Sequence, residues 1–344
     1  MLHCHLDALP WTEQRSPSGK FHSFCRNVSI ALGAPRNTGL EGGGHPFDVQ
    51  IRRVPPGAAV CPFHSHLAQW ELFVVRSGQG TVRAGAETHV VTAGDVFVHP
   101  PGEPHQLTNP GPTDLEVLII ADNPPFDSCH YPDSAKWSLR PPGKFFRATD
   151  CDYFDGEDEP TAATSAAPAT FKPAPANEAP TFAPFAQRKV SIDTLTWENF
   201  DSPKRQFRGE SKALSEAVGA KRRTPTGLGG HPFDLELGRL PAGFSGCPYH
   251  SHAAQWEFYL FLRGTGTFRT ADGLAPIGPG DVVLQPPGSA HQFTNTGTEP
   301  LEYFLVADNP AVDLWFYPDS NKWGFNSPRK FFRMTETPYW DGEE

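Results

Sequence analysis

His64-Ser65-His66-Leu67-Ala68-Gln69-Trp70-Glu71 returns later in the chain as His250-Ser251-His252-Ala253-Ala254-Gln255-Trp256-Glu257. The offset is 250 − 64 = 186, and the same step carries His105 onto His291. Three imidazoles and one carboxylate, kept twice in register, are two equal sets of candidate metal ligands: His64, His66, Glu71 and His105, then His250, His252, Glu257 and His291. Residues two apart on a strand share a face, so the first two histidines of each set point the same way. The glutamate follows a short turn, and the last histidine follows a Pro-Pro-Gly turn that opens another strand. Three segments meeting at one point is how a closed sheet builds an interior metal site.

The register extends far beyond the ligands. Trp11 pairs with Trp197, and Gly43-Gly44-His45-Pro46-Phe47-Asp48 pairs with Gly229-Gly230-His231-Pro232-Phe233-Asp234. Tyr131-Pro132-Asp133-Ser134 and Lys144-Phe145-Phe146-Arg147 also recur, as Tyr317-Pro318-Asp319-Ser320 and Lys330-Phe331-Phe332-Arg333. A whole domain is duplicated, with too long a period for a solenoid. The expected division is an N-terminal domain over 1–157, a linker over 158–187 and a C-terminal domain over 188–344. The middle stretch is rich in Ala, Pro and Thr and has too little apolar surface to offset its ordering entropy.

Within each copy, alternating runs such as Phe47–Ile51, Glu71–Val75 and Leu115–Ile120 read as short strands. Helical signal is confined to short pieces, for example around Ser211 to Val218. The fold class is all-β, an antiparallel sandwich or barrel in each half. With 37 Pro and 32 Gly in 344 residues, turns are frequent. The net charge of −10 argues against a general nucleic-acid surface. No apolar run approaches the roughly 20 residues of a membrane span, and the start lacks a basic stretch followed by an apolar one. Cys61 and Cys247 are equivalents, while Cys4, Cys25, Cys129 and Cys151 have no counterparts, which favours reduced thiols over a copied disulfide framework. The expectation is a cytoplasmic protein with a small-molecule substrate, no nucleic-acid or membrane partner, and scope for a homo-oligomer.

Longer motifs frame the ligands. Gly57 precedes His64-x-His66 by six residues; four more lead to Glu71 and six more to Gly78. Gly94, Pro100-x-Gly102, His105 and Asn109 follow, and Gly243, Gly264, Gly280, Pro286, Gly288 and Asn295 frame the second set. Both halves resemble the two motifs of the cupin family, apart from one extra residue between Gly57 and His64. The resemblance implies a bicupin, with a double-stranded β-helix (jelly roll) in each half.

Three histidines and a glutamate suit one divalent metal per domain, Fe, Mn, Ni, Cu or Zn. Such a site favours a small enol or carboxylate that chelates through two oxygens. The family resemblance points to an oxidoreductase of the dioxygenase type. Glu71 and Glu257 would double as catalytic proton acceptors, their pKa shifted by the apolar barrel. Non-redox sugar isomerisation or decarboxylation of a small diacid is the alternative. The chain also resembles bicupin oxalate decarboxylases, but its second-histidine-to-glutamate spacing is one longer and no Ser-Glu-Asn lid is visible. A carbohydrate or small-ligand binding protein without turnover is the third reading.

Gln69 and Gln255 share a strand face with the glutamates and are candidates to bond ligands or substrate. His45 and His231 are substrate candidates at the barrel mouth, although glycine-driven turn geometry explains their run as well. Trp70 and Trp256 face the other way, towards packing between sheets or subunits, and packing is also favoured for the Tyr-Pro-Asp-Ser segments. His3, Cys4 and His5 read as an unstructured end with adventitious metal affinity. Phe63, His99 and Leu107 become Tyr249, Gln285 and Phe293, so the two pockets are expected to differ in polarity.

Overall fold

A computed structural model describes residues 2–140, 143–149, 151, 182–326 and 329–343. As expected, the architecture is all-β: two jelly-roll barrels from the duplicated halves. The larger sheet of the first barrel runs, in spatial order, Lys189–Ser191, Asp95–His99, Glu71–Ser77, Leu115–Asp122, Phe47–Val54, His22–Asn27 and Thr12–Arg15. Two small sheets complete it, one from Gln79–Ala84 between His105–Thr108 and Glu87–Thr92, the other carrying Ser65–His66 beside Asp127–Tyr131. The second barrel repeats this arrangement.

Alternation decides what each strand buries. Along Phe47–Val54, the side chains of Phe47, Val49 and Ile51 enter a core shared by both barrels. The opposite face sends Asp48, Gln50 and Arg52 into the first barrel's interior cavity. In the second barrel Phe233, Leu235 and Leu237 enter the shared core from the matching strand. Each barrel has its own inner core too, with Phe73, Phe97 and Leu107 in one and Tyr259, Phe261 and Phe293 in the other. Gly78 makes the turn after Glu71–Ser77: its φ is +82°, and a Cβ there would lie 2.5 Å from the Asp114 carbonyl oxygen. Gly264 meets the same constraint at Pro300.

The halves of the chain exchange edge strands. Leu2–His5 pairs antiparallel with Asp281–Leu284 of the second barrel, and Lys189–Ser191 pairs with Asp95–Phe97 of the first. This corrects the expectation of an unstructured end. Cys4 packs against the shared core, Leu6 is buried in it, and the His3 ring bonds Asp281 at 2.8 Å. Of the stretch expected as a linker, residues 158–181 lie outside the described residues. Its last residues are docked: the short helix Phe185–Gln187 buries Phe185 in the first barrel's inner core, against Phe97 at 5.5 Å. Around Ser211–Val218 the helix is a single turn, Leu214–Ala217, because Arg208–Ala213 is claimed by pairing with the strand Phe233–Leu240.

Candidate metal centres

Each ligand set converges. His64 and His105 are held opposite one another by reciprocal backbone bonds, His64 N–H to His105 O at 3.1 Å and the reverse at 2.8 Å. His66 sits on the two-residue strand Ser65–His66, and Glu71 opens an interior strand of the large sheet, between Asp95–His99 and Leu115–Asp122. The Nε2 atoms of His64 and His66 are 3.1 Å apart, and Glu71 Oε2 is 2.8 Å from His105 Nε2 and 3.7 Å from His66 Nε2. In the second barrel one carboxylate oxygen, Glu257 Oε2, lies 2.7, 3.6 and 3.9 Å from the Nε2 atoms of His291, His252 and His250.

The far side of each ring explains why Nε2 faces inward. His64 Nδ1–H donates to the Pro62 carbonyl at 2.9 Å and His105 Nδ1–H to the Glu103 carbonyl at 3.0 Å. His66 Nδ1–H donates to Asp127 at 2.6 Å, and His252 Nδ1–H to Asp313 at the same distance. A proton fixed on Nδ1 leaves the Nε2 lone pair for a cation. His252 Nε2 is buried with no hydrogen-bond partner, as a ligand atom awaiting its ion would be. Buried donors of this type, clustered in both halves, fit a borderline divalent metal.

Burial alone would raise Glu71, yet the His105 hydrogen bond and the surrounding imidazoles hold its carboxyl well below the ordinary range; Glu257 behaves alike. The barrel's expected effect on these acids is thus outweighed by their basic neighbours. Burial also lowers His64 well below its usual value, with His105 and His66 adding to the effect. For His66 burial pulls downward, but the Asp127 hydrogen bond prevails and the ring sits well above the ordinary value.

The first centre opens into a cavity of about 230 Å³, lined by all four ligands together with Gln69, Tyr131 and Arg52 among others. The Gln69 side-chain amide donates to the Asp122 carbonyl at 2.6 Å, and Gln255 to Asp308 at the same distance. Tyr131 stacks on His64 with centroids 6.0 Å apart, so the Tyr-Pro-Asp-Ser segment contributes to the cavity wall. Asp133 of that segment bonds Arg83, whose guanidinium covers the buried Phe63 at 3.5 Å. His45 and His231 stand elsewhere, buried between the barrels: His45 packs on Trp256 at 5.2 Å and His231 on Trp70 at 4.7 Å.

Several residues escaped the sequence reading. Asp127 and Asp313 obey the register (313 − 127 = 186) and were open to discovery by it. Tyr259 replaces Phe73, and its hydroxyl donates to Glu257 at 3.0 Å, giving the second centre a polar group the first lacks. Behind His105 the His99 ring stacks at 4.0 Å, bonded to Glu103, which in turn is ion-paired with Arg188 from the other half of the chain. No sequence spacing announces that contact.

The family model described as Cupin domain matches twice, over residues 50–121 and 237–307. Those spans contain His64, His66, Glu71 and His105 in one copy and His250, His252, Glu257 and His291 in the other. The chain belongs to the cupins as a two-domain member. It is 34% identical over 68 residues to an oxalate-binding protein of Thermotoga maritima, covering 20% of this chain and 55% of that protein. It is 40% identical over 63 residues to a glucose-6-phosphate isomerase of Thermococcus gammatolerans, covering 17% of this chain and 33% of that enzyme. The matches thus span about half or less of these relatives' lengths. Its fold is similar to the crystal structure of Lactobacillus farciminis oxalate decarboxylase in a formate complex, at TM-score 0.53 and 16% identity over 90% of this chain and 86% of that one. No helix among the described residues is long and apolar enough to cross a membrane.

Proposed function

We propose that this bicupin is a metal-dependent enzyme acting on a small enol or carboxylate that chelates through two oxygens, with dioxygenase-type oxidation as the leading reaction. The observation that carries the reading is the first centre's three histidines and one glutamate facing a polar-lined cavity. A divalent ion held there would supply Lewis acidity and, if redox-active, a site for O2 beside the substrate. His64, His66 and His105 would hold it through Nε2, with Pro62, Asp127 and Glu103 fixing the rings. Glu71, kept ionised by its neighbours, is available to accept a substrate proton. Glu257 has the same role in the second centre. We assign the protein a cytoplasmic location because its cysteines are unbridged.

Non-redox chemistry has its own support. The fold likeness to an oxalate decarboxylase runs over most of the chain, and one sequence relative is a sugar-phosphate isomerase. Metal analysis of protein purified without added ions, followed by oxygen-electrode and CO2-release assays on candidate enols and diacids, separates the readings. Iron or copper with stoichiometric O2 uptake is the expected result. Turnover that proceeds unchanged without O2 would replace the dioxygenase reading with decarboxylation or isomerisation.

A further inference from the structure

The two barrels depart from one another at a facing pair inside the large sheet. Arg52 pairs with Val117 in the first, and the equivalent positions in the second are Gly238 and Tyr303. In the second barrel the phenol fills the space, since a Cβ on Gly238 would lie 2.3 Å from Tyr303 Cζ. The first barrel places a guanidinium there, and Arg52 is only 8% exposed. Its Nη1 donates to Gln14 at 2.7 Å and Ser23 at 3.0 Å, and its Nε donates to Gln50 at 3.2 Å. All three acceptors are neutral. Among the described residues no carboxylate lies in ion-pair range of Arg52. A guanidinium stays charged at any ordinary pH, so burying it without a counter-ion is unfavourable unless a ligand brings one.

Arg52 lines the cavity that holds the four metal ligands. The strand register gives the direction. Glu71 is opposite Ala121, which is opposite Asp48, and Arg52 lies four residues along the same face. The polar row therefore runs about 13 Å along the strand from the level of the glutamate. Gln50 lies between, and the Asp48 carboxylate accepts the Asn37 backbone N–H at 3.0 Å. In the second barrel this row is Asp234, Glu236 and Gly238; Glu236 binds Arg222 at 2.7 Å, and no arginine stands at the row's end.

We propose that the first centre takes an elongated anion, with chelating oxygens at the metal end and a carboxylate tail seated on Arg52. The second centre, with Tyr303 in that seat, takes no such tail. This inference rests on the chelating-substrate reading and specifies its substrate class. A compact diacid would engage the metal ligands without reaching Arg52.

Isothermal titration of the metal-loaded full-length chain tests it with 2-oxobutyrate and 2-oxoadipate, which share a chelating head and differ in the distal carboxylate. The wild type is expected to bind 2-oxoadipate about tenfold tighter or more, at one site per chain, as a charge-assisted pair would give. Arg52→Met should erase the difference while leaving 2-oxobutyrate binding unchanged. The double variant Arg52→Gly with Val117→Tyr copies the second barrel's packing, guards against a folding defect and should do the same. Equal binding of both probes by the wild type would overturn the tail seat and leave the chelating reading standing. A tail preference that survives both variants would remove Arg52 from it. Failure of both probes to bind fully metallated protein would take down both readings.

Discussion

Asp127 and Asp313 show how much a site of this kind owes to residues standing behind the candidate ligands. Each accepts a histidine Nδ1–H at 2.6 Å and also caps the turn before the glutamate, through the Ala68 and Ala254 N–H groups at 3.0 and 2.8 Å. One carboxylate therefore orients one ligand and fixes the approach of another. Asp127→Asn and Asp313→Asn are each expected to weaken metal binding at their own centre by about 10- to 100-fold. Chelator competition measures this, and unchanged affinity would show that the backbone alone orients the rings. The four candidate ligands of each set were legible in sequence because one shared offset ties their chemistry together. Arg52 was not, since an arginine on an alternating strand ordinarily faces solvent; its burial depends on Gln14 and Ser23 from two other strands.

The edge strand Leu2–His5 reveals what hydrophobic periodicity omits. The pattern identifies a strand's buried face but not the sheet that will receive it. Four residues with two polar imidazoles looked like a tail, yet they close the edge of the second barrel. Deleting residues 2–6 removes that pairing and the buried Leu6 side chain, at a cost of about 3 kcal/mol or more. It also bares the edge of Asp281–Gln285 for intermolecular pairing. Thermal melting and native mass measurement should record a less stable protein with increased self-association. A variant as stable and as monodisperse as its parent would mean the exchanged strand is incidental.

Between the barrels, reciprocal ring contacts join the two copies: His45 on Trp256, and His231 on Trp70. Burial pushes the His231 pKa down to about 4, while in the unfolded chain the ring titrates near its ordinary value of 6.5. Between those values the unfolded state binds the extra proton, so stability falls as pH drops through the window and is recovered above 6.5. The loss at its lower end is roughly 3 kcal/mol, from about 1.4 kcal/mol per unit. Unfolding free energies from pH 7.5 to 4.5 should therefore show a shallower pH dependence in His231→Phe than in the wild type, by about one proton. Parallel profiles would mean that His231 is not held neutral at the interface.

Repetition decided the candidate ligands, the duplication and the jelly-roll class, because register, ligand spacing and alternation are all one-dimensional properties. Tertiary structure decided which barrel each edge strand joins, where His45 and His231 lie, and what fills each interior. These outcomes are three-dimensional: an edge joins whichever open sheet lies nearest, and a buried side chain occupies space that a distant residue leaves free. The exchange of Arg52 with Val117 for Gly238 with Tyr303 is the clearest case. Each pair fills its barrel, and only one of them places a positive charge inside.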